Sequence, residues 1–358
     1  MRFRKIIILS LQLLLFIPAL LSGGCEKEEI LPVRRADITL VTSFQGSGDL
    51  GYNDLIFDGV CNAASATGAT LSVIRPTSTD DVRRELKQWI TEGDTSSTGL
   101  IRVLVFSSMD YAVALQGLDT PDSNHLILVV DGDEEQLPAW CRAVSFDRYG
   151  ASYLAGCMAG ECPCPVIMAA RAGDPVLQRA IDGFSDGYTG VNAYNSSSAP
   201  QLKYLADDYS GFASADKAYR FCSSLPEGAF VFPLAGGSDS GVYKYIREHD
   251  FTNILAAGMD VDCSGMAPRI PFSLTVRVDK VIEKILTAVM HNDMTLLPSA
   301  PYDLESGYVT IEVNPGFYDS LLIWEDYYDS PDYWENRKTT FLRTAIEAER
   351  KNSQTQRQ

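Results

Sequence analysis

Basic residues are scarce in this 358-residue chain, with 30 Lys and Arg against 47 Asp and Glu, a formal charge of −17. Phosphate backbones are held by clustered cations, so this balance excludes a nucleic-acid binder and argues against adhesion to anionic lipid headgroups. Histidine is scarcer still. His125, His249 and His291 are scattered, and no cysteine pair has C-x-x-C spacing, so no metal site is expected. Cys162-Pro163-Cys164 is the nearest approach, one residue too short for that motif. The chain also lacks G-x-S-x-G, H-E-x-x-H and the phosphate loop G-x-x-x-x-G-K-[ST]. Without these motifs, and with no Cys–His arrangement in a fitting context, an enzyme is not expected, nor is a cofactor. No apolar run is long enough to span a bilayer; the longest, Ile6 to Leu21, is short of the roughly 20 residues required.

That run has another use. Arg2, Arg4 and Lys5 precede it and Ser22-Gly23-Gly24-Cys25 follows, the layout of a secretory leader. The small residues before Cys25 resemble a bacterial lipoprotein processing site, which implies that residues 1–24 are removed and Cys25 is lipidated. Glu26-Lys27-Glu28-Glu29 is similar to surface-export signals of bacterial lipoproteins, and residues 25–36 read as a polar tether. This places the mature chain on the bacterial cell envelope, at its periplasmic face or outer surface, touching the membrane through the lipid anchor alone. Loss of the leader leaves 27 basic against 47 acidic residues, −20. Seven cysteines then remain, an odd number that cannot all pair. Buried thiols are expected for most, with a disulfide from Cys162 or Cys164 left open.

The roughly 330 residues that follow exceed one hydrophobic core and imply two domains. Apolar strand signals alternate with helical ones: strands at 70–74, 103–106, 126–130 and 142–146, helices at 80–90, 111–118 and 149–159. Gly160 to Pro165 interrupts the series, which then resumes with strands at 166–170, 202–205, 230–234 and 254–257 and helices at 176–191, 213–225 and 238–247. Continuous apolar strands joined by helices form parallel sheets, so the expected fold class is α/β, two Rossmann-like lobes joined by a hinge. The expected divisions are residues 37–160 for the first lobe and 161–275 for the second. Residues 276–314 cross back through a helix (276–291) and a late strand (308–313). Residues 315–358 form an acidic-aromatic stretch, a short helix at 341–350 and a frayed end. The acidic-aromatic stretch, Phe317 to Trp334, could bind a partner, but packing over a lobe or hinge is favoured.

The stretch Ile38 to Gly59 joins a strand, a loop with Gly46, Gly48 and Gly51, and a helix start. That geometry can present backbone N–H groups to a ligand, with Tyr52 and Asn53 projecting into the crevice. Read as VTSFQGSGDLGYNDLIFDG, residues 41–59 resemble the opening signature of the basic membrane protein (Med-type) family of nucleoside-binding lipoproteins. Six further segments are similar to that family in the same order. They are SFDRYGASYLAG, AIDGFSDGYTGVNAY, SGFASADKAYRF, FPLAGGSDSGVYKYIRE, GMDVDCS and SLTVRVDKVI.

The resemblance implies a periplasmic-binding-protein fold of type I closing on a nucleoside, a solute-binding protein that serves an ABC permease. It implies that Tyr52 and Phe212 sandwich the base and that Asn53 reads its edge, with Asp49 in the same loop. Gly236 and Gly237 would meet ribose hydroxyls through their N–H groups, and Asp260 would accept from the ribose diol. Four positions depart from the family pattern: Ser43 and Gly48 where it has Asp, Gly150 where it has Glu, and Val276 where it has Lys. Each departure removes a charged side chain, which bears on the ligand and not on the fold. A sensor or surface receptor of the same fold, taking a different small molecule, is the alternative.

Overall fold

The computed structural model describes residues 37–91, 101–162, 164–192, 199–317 and 332–356. The leader, Cys25, the tether and positions 318–331 of the acidic-aromatic stretch lie outside the described residues.

Five parallel strands form the first sheet: β1 (Asp37–Val41), β2 (Thr70–Ile74), β3 (Arg102–Phe106), β4 (His125–Val130) and β5 (Cys141–Val144), in the order β2-β1-β3-β4-β5. The central strands are apolar at successive positions because helices cover both faces; Val103, Leu104 and Val105 are all fully buried. Helices α1 (Tyr52–Thr67) and α2 (Thr79–Thr91) follow β1 and β2. The helix expected at 111–118 is a short 3-10 turn, Ala112–Leu115. Gly117 at φ +73° ends it before a second turn can form.

A second parallel sheet holds β6 (Pro165–Arg171), β7 (Gln201–Ala206), β8 (Phe230–Leu234) and β9 (Leu255–Ala256), in the order β7-β6-β8-β9. Helix α3 (Tyr149–Met158) precedes it, and α4 (Pro175–Val191), α5 (Ala215–Cys222) and α6 (Asp239–Glu248) accompany it. Helices α3 and α4 touch backbone to backbone: a Cβ on Gly187 would sit 2.0 Å from the Tyr153 carbonyl oxygen. Stacked rings fill the core here, Phe184 on Phe232 at 4.3 Å between centroids.

A third, smaller sheet joins β10 (Gly258–Asp260), β11 (Phe272–Val276) and β12 (Val309–Val313). The first pair is parallel and the second antiparallel. Helix α7 (Val278–Met290) lies between β11 and β12 in sequence and packs on α1, where a Cβ on Gly59 would come 2.6 Å from the Asp279 carbonyl.

The last helix corrects an expectation. Instead of a short helix at 341–350 with a frayed end, α8 runs from Tyr333 to Gln356, 24 residues. Trp334, Ala345 and Glu349 are buried along it, Trp334 lying against Phe272 at 5.4 Å and Phe317 at 6.0 Å. Arg337 pairs with Glu161, and Arg350 with Glu305, so polar side chains fix the helix at both ends. Cys141, Cys157, Cys222 and Cys263 are buried, and burial pushes each thiol up to about 12. Among the described residues, no helix is long and apolar enough to cross a membrane.

Candidate ligand-binding site

In parallel α/β sheets, ligands gather beyond the carboxyl ends of the strands. A cavity of about 570 Å³ lies there, lined from the first sheet by the loops after β1, β3 and β4, and from the second and third by those after β6, β7, β8 and β10. Tyr52, Asn53, Asp49, Phe212, Gly236 and Asp260 all stand on its wall. Gly237 does not. It lies under the side chain of Gln45, and a Cβ there would fall 1.8 Å from Gln45 Nε2. The first loop and the turn after β8 are thus in direct contact.

The glycine loop is held differently from expectation. Four of its backbone N–H groups, those of Gly48, Leu50, Gly51 and Asn53, are taken by two aspartates of the same segment. Asp54 accepts from Gly48 N at 2.6 Å and Leu50 N at 2.9 Å. Asp49 accepts from Gly51 N at 3.0 Å and Asn53 N at 3.1 Å. Gly46 (φ +74°), Gly48 (φ +97°) and Leu50 (φ +53°) give the loop the left-handed turns this stitching needs. Asn53 is held at both ends of its amide, donating to Asp49 Oδ2 at 2.8 Å and accepting from Ser43 Oγ at 2.9 Å.

Arg148 is the residue that sequence reasoning passed over. It is buried, pairs with Asp131 at 3.1 Å and stacks over Tyr52 at 4.9 Å from the ring centroid. Burial opposes its charge, but Asp131, Tyr52 and Asp260 outweigh that and hold the guanidinium protonated. Arg148 therefore covers one face of Tyr52, and Phe146 lies edge-on to the ring at 6.4 Å between centroids. Tyr52 Oη is buried and finds no hydrogen bond of normal geometry among the described residues, although Asp131 and Arg148 lie beside it.

Two further carboxyl groups share this end of the cavity. Burial, with Asp49 and Asp131 adding to it and Arg148 opposing, pushes Asp260 up to about 6. Asp239 at the start of α6 is 3% exposed and accepts from Ala235 N at 3.0 Å; burial, then Asp260, raises it well above the usual carboxylate range. Asp131 and Asp260 sit at φ +51° and +65°, uncommon for non-glycine residues. Such conformations persist where the surrounding structure imposes them. At the other end, Arg171 stacks over Tyr209 at 4.4 Å, and Tyr209 over Phe212 at 6.3 Å. Arg148 and Asp239 lay inside segments already quoted, SFDRYG and GGSDSG. Arg171 and Tyr209 had no signal of their own, because only topology brings the ends of β6 and β7 together.

A cavity between parallel sheets, walled by aromatics and carboxylates from both, defines a small-molecule binding protein of the solute-binding class. The chain matches the model of the Bmp family, described as ABC transporter substrate-binding protein PnrA-like, over residues 41–326, and belongs to that family. It is a substrate-binding protein of ABC transport and not an enzyme. No curated protein sequence matches it.

Solved structures share the fold. A solute-binding protein of an ABC transporter system from Aeropyrum pernix K1 is 15% identical, with a TM-score of 0.68, covering 86% of this chain and 92% of that one. A transcriptional activator of the comK gene from Bacillus halodurans is 18% identical, with a TM-score of 0.63 and coverage of 87% and 98%. An ABC transporter solute-binding protein from Burkholderia graminis C4D1M, in complex with D-arabinose, is 14% identical, with a TM-score of 0.54 and coverage of 79% and 97%.

Proposed function

We propose that this protein is lipid-anchored through Cys25, binds a nucleoside-like ligand, most plainly a purine nucleoside, in the cleft, and hands it to an ABC permease. Tyr52, Asn53, Asp49, Phe212, Gly236 and Asp260 form the ligand wall in this reading, with Gly237 beside it under the Gln45 side chain. The observation that carries it is the meeting of Tyr52 and Phe212, from different sheets, on one cavity wall that also holds Asp260. Aromatic faces suit a flat base, and a carboxylate suits a ribose diol. The lobe divisions at residues 160 and 275 belong to the same reading, closure occurring about the segments between them.

Thermal unfolding with adenosine, guanosine, inosine, free bases and D-arabinose tests the ligand. A saturating ligand adds about 2.7 kcal/mol at a hundredfold excess over Kd, a plain rise in Tm. No rise with any nucleoside at millimolar concentration removes the nucleoside reading; a rise with arabinose alone replaces it with a sugar. Phe212→Ala is expected to weaken nucleoside binding by roughly 5- to 150-fold, the value of one base–aromatic stack. Tyr52→Ala should weaken it similarly, and unchanged affinity in both variants would place the ligand elsewhere. For the anchor, Cys25→Ser should move the protein from the membrane fraction to the soluble one.

A further inference from the structure

Residues 43–46 make a tight turn, closed by Gly46 N donating to Ser43 O at 3.0 Å, with Phe44 and Gln45 at its tip. Its root is fixed. Phe44 N donates to Asp110, and Ser43 Oγ donates to Asn53 Oδ1 at 2.9 Å. The tip reaches across the cavity to the turn after β8. A Cβ on Gly236 would come 3.3 Å from the Phe212 ring and 3.4 Å from Gln45 Oε1, so ring and amide flank that residue. The landing is fixed as well. Buried Ser238 donates to Gly211 O at 2.7 Å and accepts from Ser214 N at 2.6 Å, which ties this turn to the one that carries Phe212.

The two glycines of the landing serve different needs. Gly236 sits at φ +54°, which favours glycine whatever its neighbours. Gly237 is not in the positive-φ region, so its backbone would accept alanine. What leaves no room for a side chain there is Gln45. A Cβ would fall 1.8 Å from Nε2 and 3.1 Å from Cδ, whereas the next nearest atom, Phe212 O, is 3.4 Å away. Among the described residues Gln45 makes no hydrogen bond to the protein, so packing alone holds its amide and the contact can part and re-form. We infer that Gln45 and Gly237 form a clasp that holds the cleft shut, and that this pair sets how fast solute leaves. The inference rests on closure of the cleft and not on which solute binds. No ligand atom takes part in the contact, so it acts with or without solute. An alanine at position 237 would evict the Gln45 amide, because the glutamine side chain can rotate away and the two backbones cannot. The clasp is then lost as fully as if Gln45 were shortened.

A double-mutant cycle on the whole mature protein tests this, with Gln45→Ala, Gly237→Ala and both together. Small-angle X-ray scattering without ligand reads closure, and stopped-flow release of adenosine reads retention. Each single variant should have a larger radius of gyration than the wild type and release adenosine at least about threefold faster. The double variant should do no worse than either, since Gly237→Ala has nothing to displace once the amide is gone. Wild-type radii or wild-type release in the single variants, or losses that add in the double, overturn the inference and leave the nucleoside reading intact. If adenosine binds none of the four proteins, the nucleoside reading fails and the scattering comparison alone decides this inference.

Discussion

Replacing Arg148 with alanine should cost roughly 3–5 kcal/mol of folding stability, the range for removing one partner of a buried ion pair. The magnitude follows from what would remain. The pair's side chains are 7% and 12% exposed, and Asp131 would be left without its cation. Asp260 loses the one charge that opposes its desolvation, so its carboxyl would rise further above about 6. The Tyr52 ring loses the guanidinium stacked over it, about 1–2 kcal/mol for a desolvated cation–π contact. Urea unfolding of the wild type, Arg148→Ala, Asp131→Asn and the double variant would separate these contributions. The cycle should show coupling of at least about 1 kcal/mol between the two positions. A loss below about 1 kcal/mol in Arg148→Ala would mean that water enters the site freely and the pair is not buried in solution. Ligand binding should weaken in parallel, since Tyr52 and Asp260 both depend on this cation for position or charge.

Arg148 also marks where reading the sequence stops. Strands β1, β3, β4, β6 and β8 were legible because burial on both faces writes itself as an unbroken apolar run. β10 and β11 were not. A three-residue strand is too short for any period to show, and the run of β11 ends one residue before Arg277 caps α7, so strand and helix signals merge. Helix α8 was read as less than half its length because its buried face is narrow and includes a carboxylate, Glu349, where a core residue would be expected.

The site divides in the same way. Tyr52, Asn53, Phe212 and Asp260 were expected from the order of quoted segments, and all four stand on the cavity wall. Asp131 and Arg148 meet because β4 and the start of α3 converge, and no spacing in the chain records that. The positive φ values of Asp131 and Asp260 are tolerated by aspartate but are not recorded in any spacing of the sequence. The departures from the family pattern also gain an account in two places. Ser43 donates to Asn53 in place of the missing Asp, and the absent side chain at Gly150 leaves room for Glu349, whose Oε1 would lie 2.4 Å from a Cβ there.

That carboxylate supports the second large effect, a stability that falls as pH rises from about 4.5 to about 8. Glu349 is 2% exposed. Its Oε1 accepts from Gly150 N at 3.0 Å and Leu304 N at 3.4 Å, and Oε2 has no partner among the described residues. Burial, then Asp147 and Asp303, pushes it up to about 8, the two backbone N–H groups opposing. A raised carboxyl means that the folded chain binds a proton the unfolded chain has released between these two values. Stability from this group is therefore full below about pH 4.5 and is lost progressively up to about pH 8, by an amount on the order of 4 kcal/mol. Glu349→Gln keeps the acceptor for Gly150 and Leu304 and removes the titration. The variant should match the wild type near pH 5 and unfold at a clearly higher temperature near pH 9. Because Glu349 ties α8 to the start of α3 and to the segment before β12, the wild type should also lose protection from amide exchange in α8 on the alkaline side, and Glu349→Gln should restore it. Parallel Tm–pH curves for the two proteins would show that the carboxyl at position 349 stays ionised in the fold and that α8 is held by its other contacts.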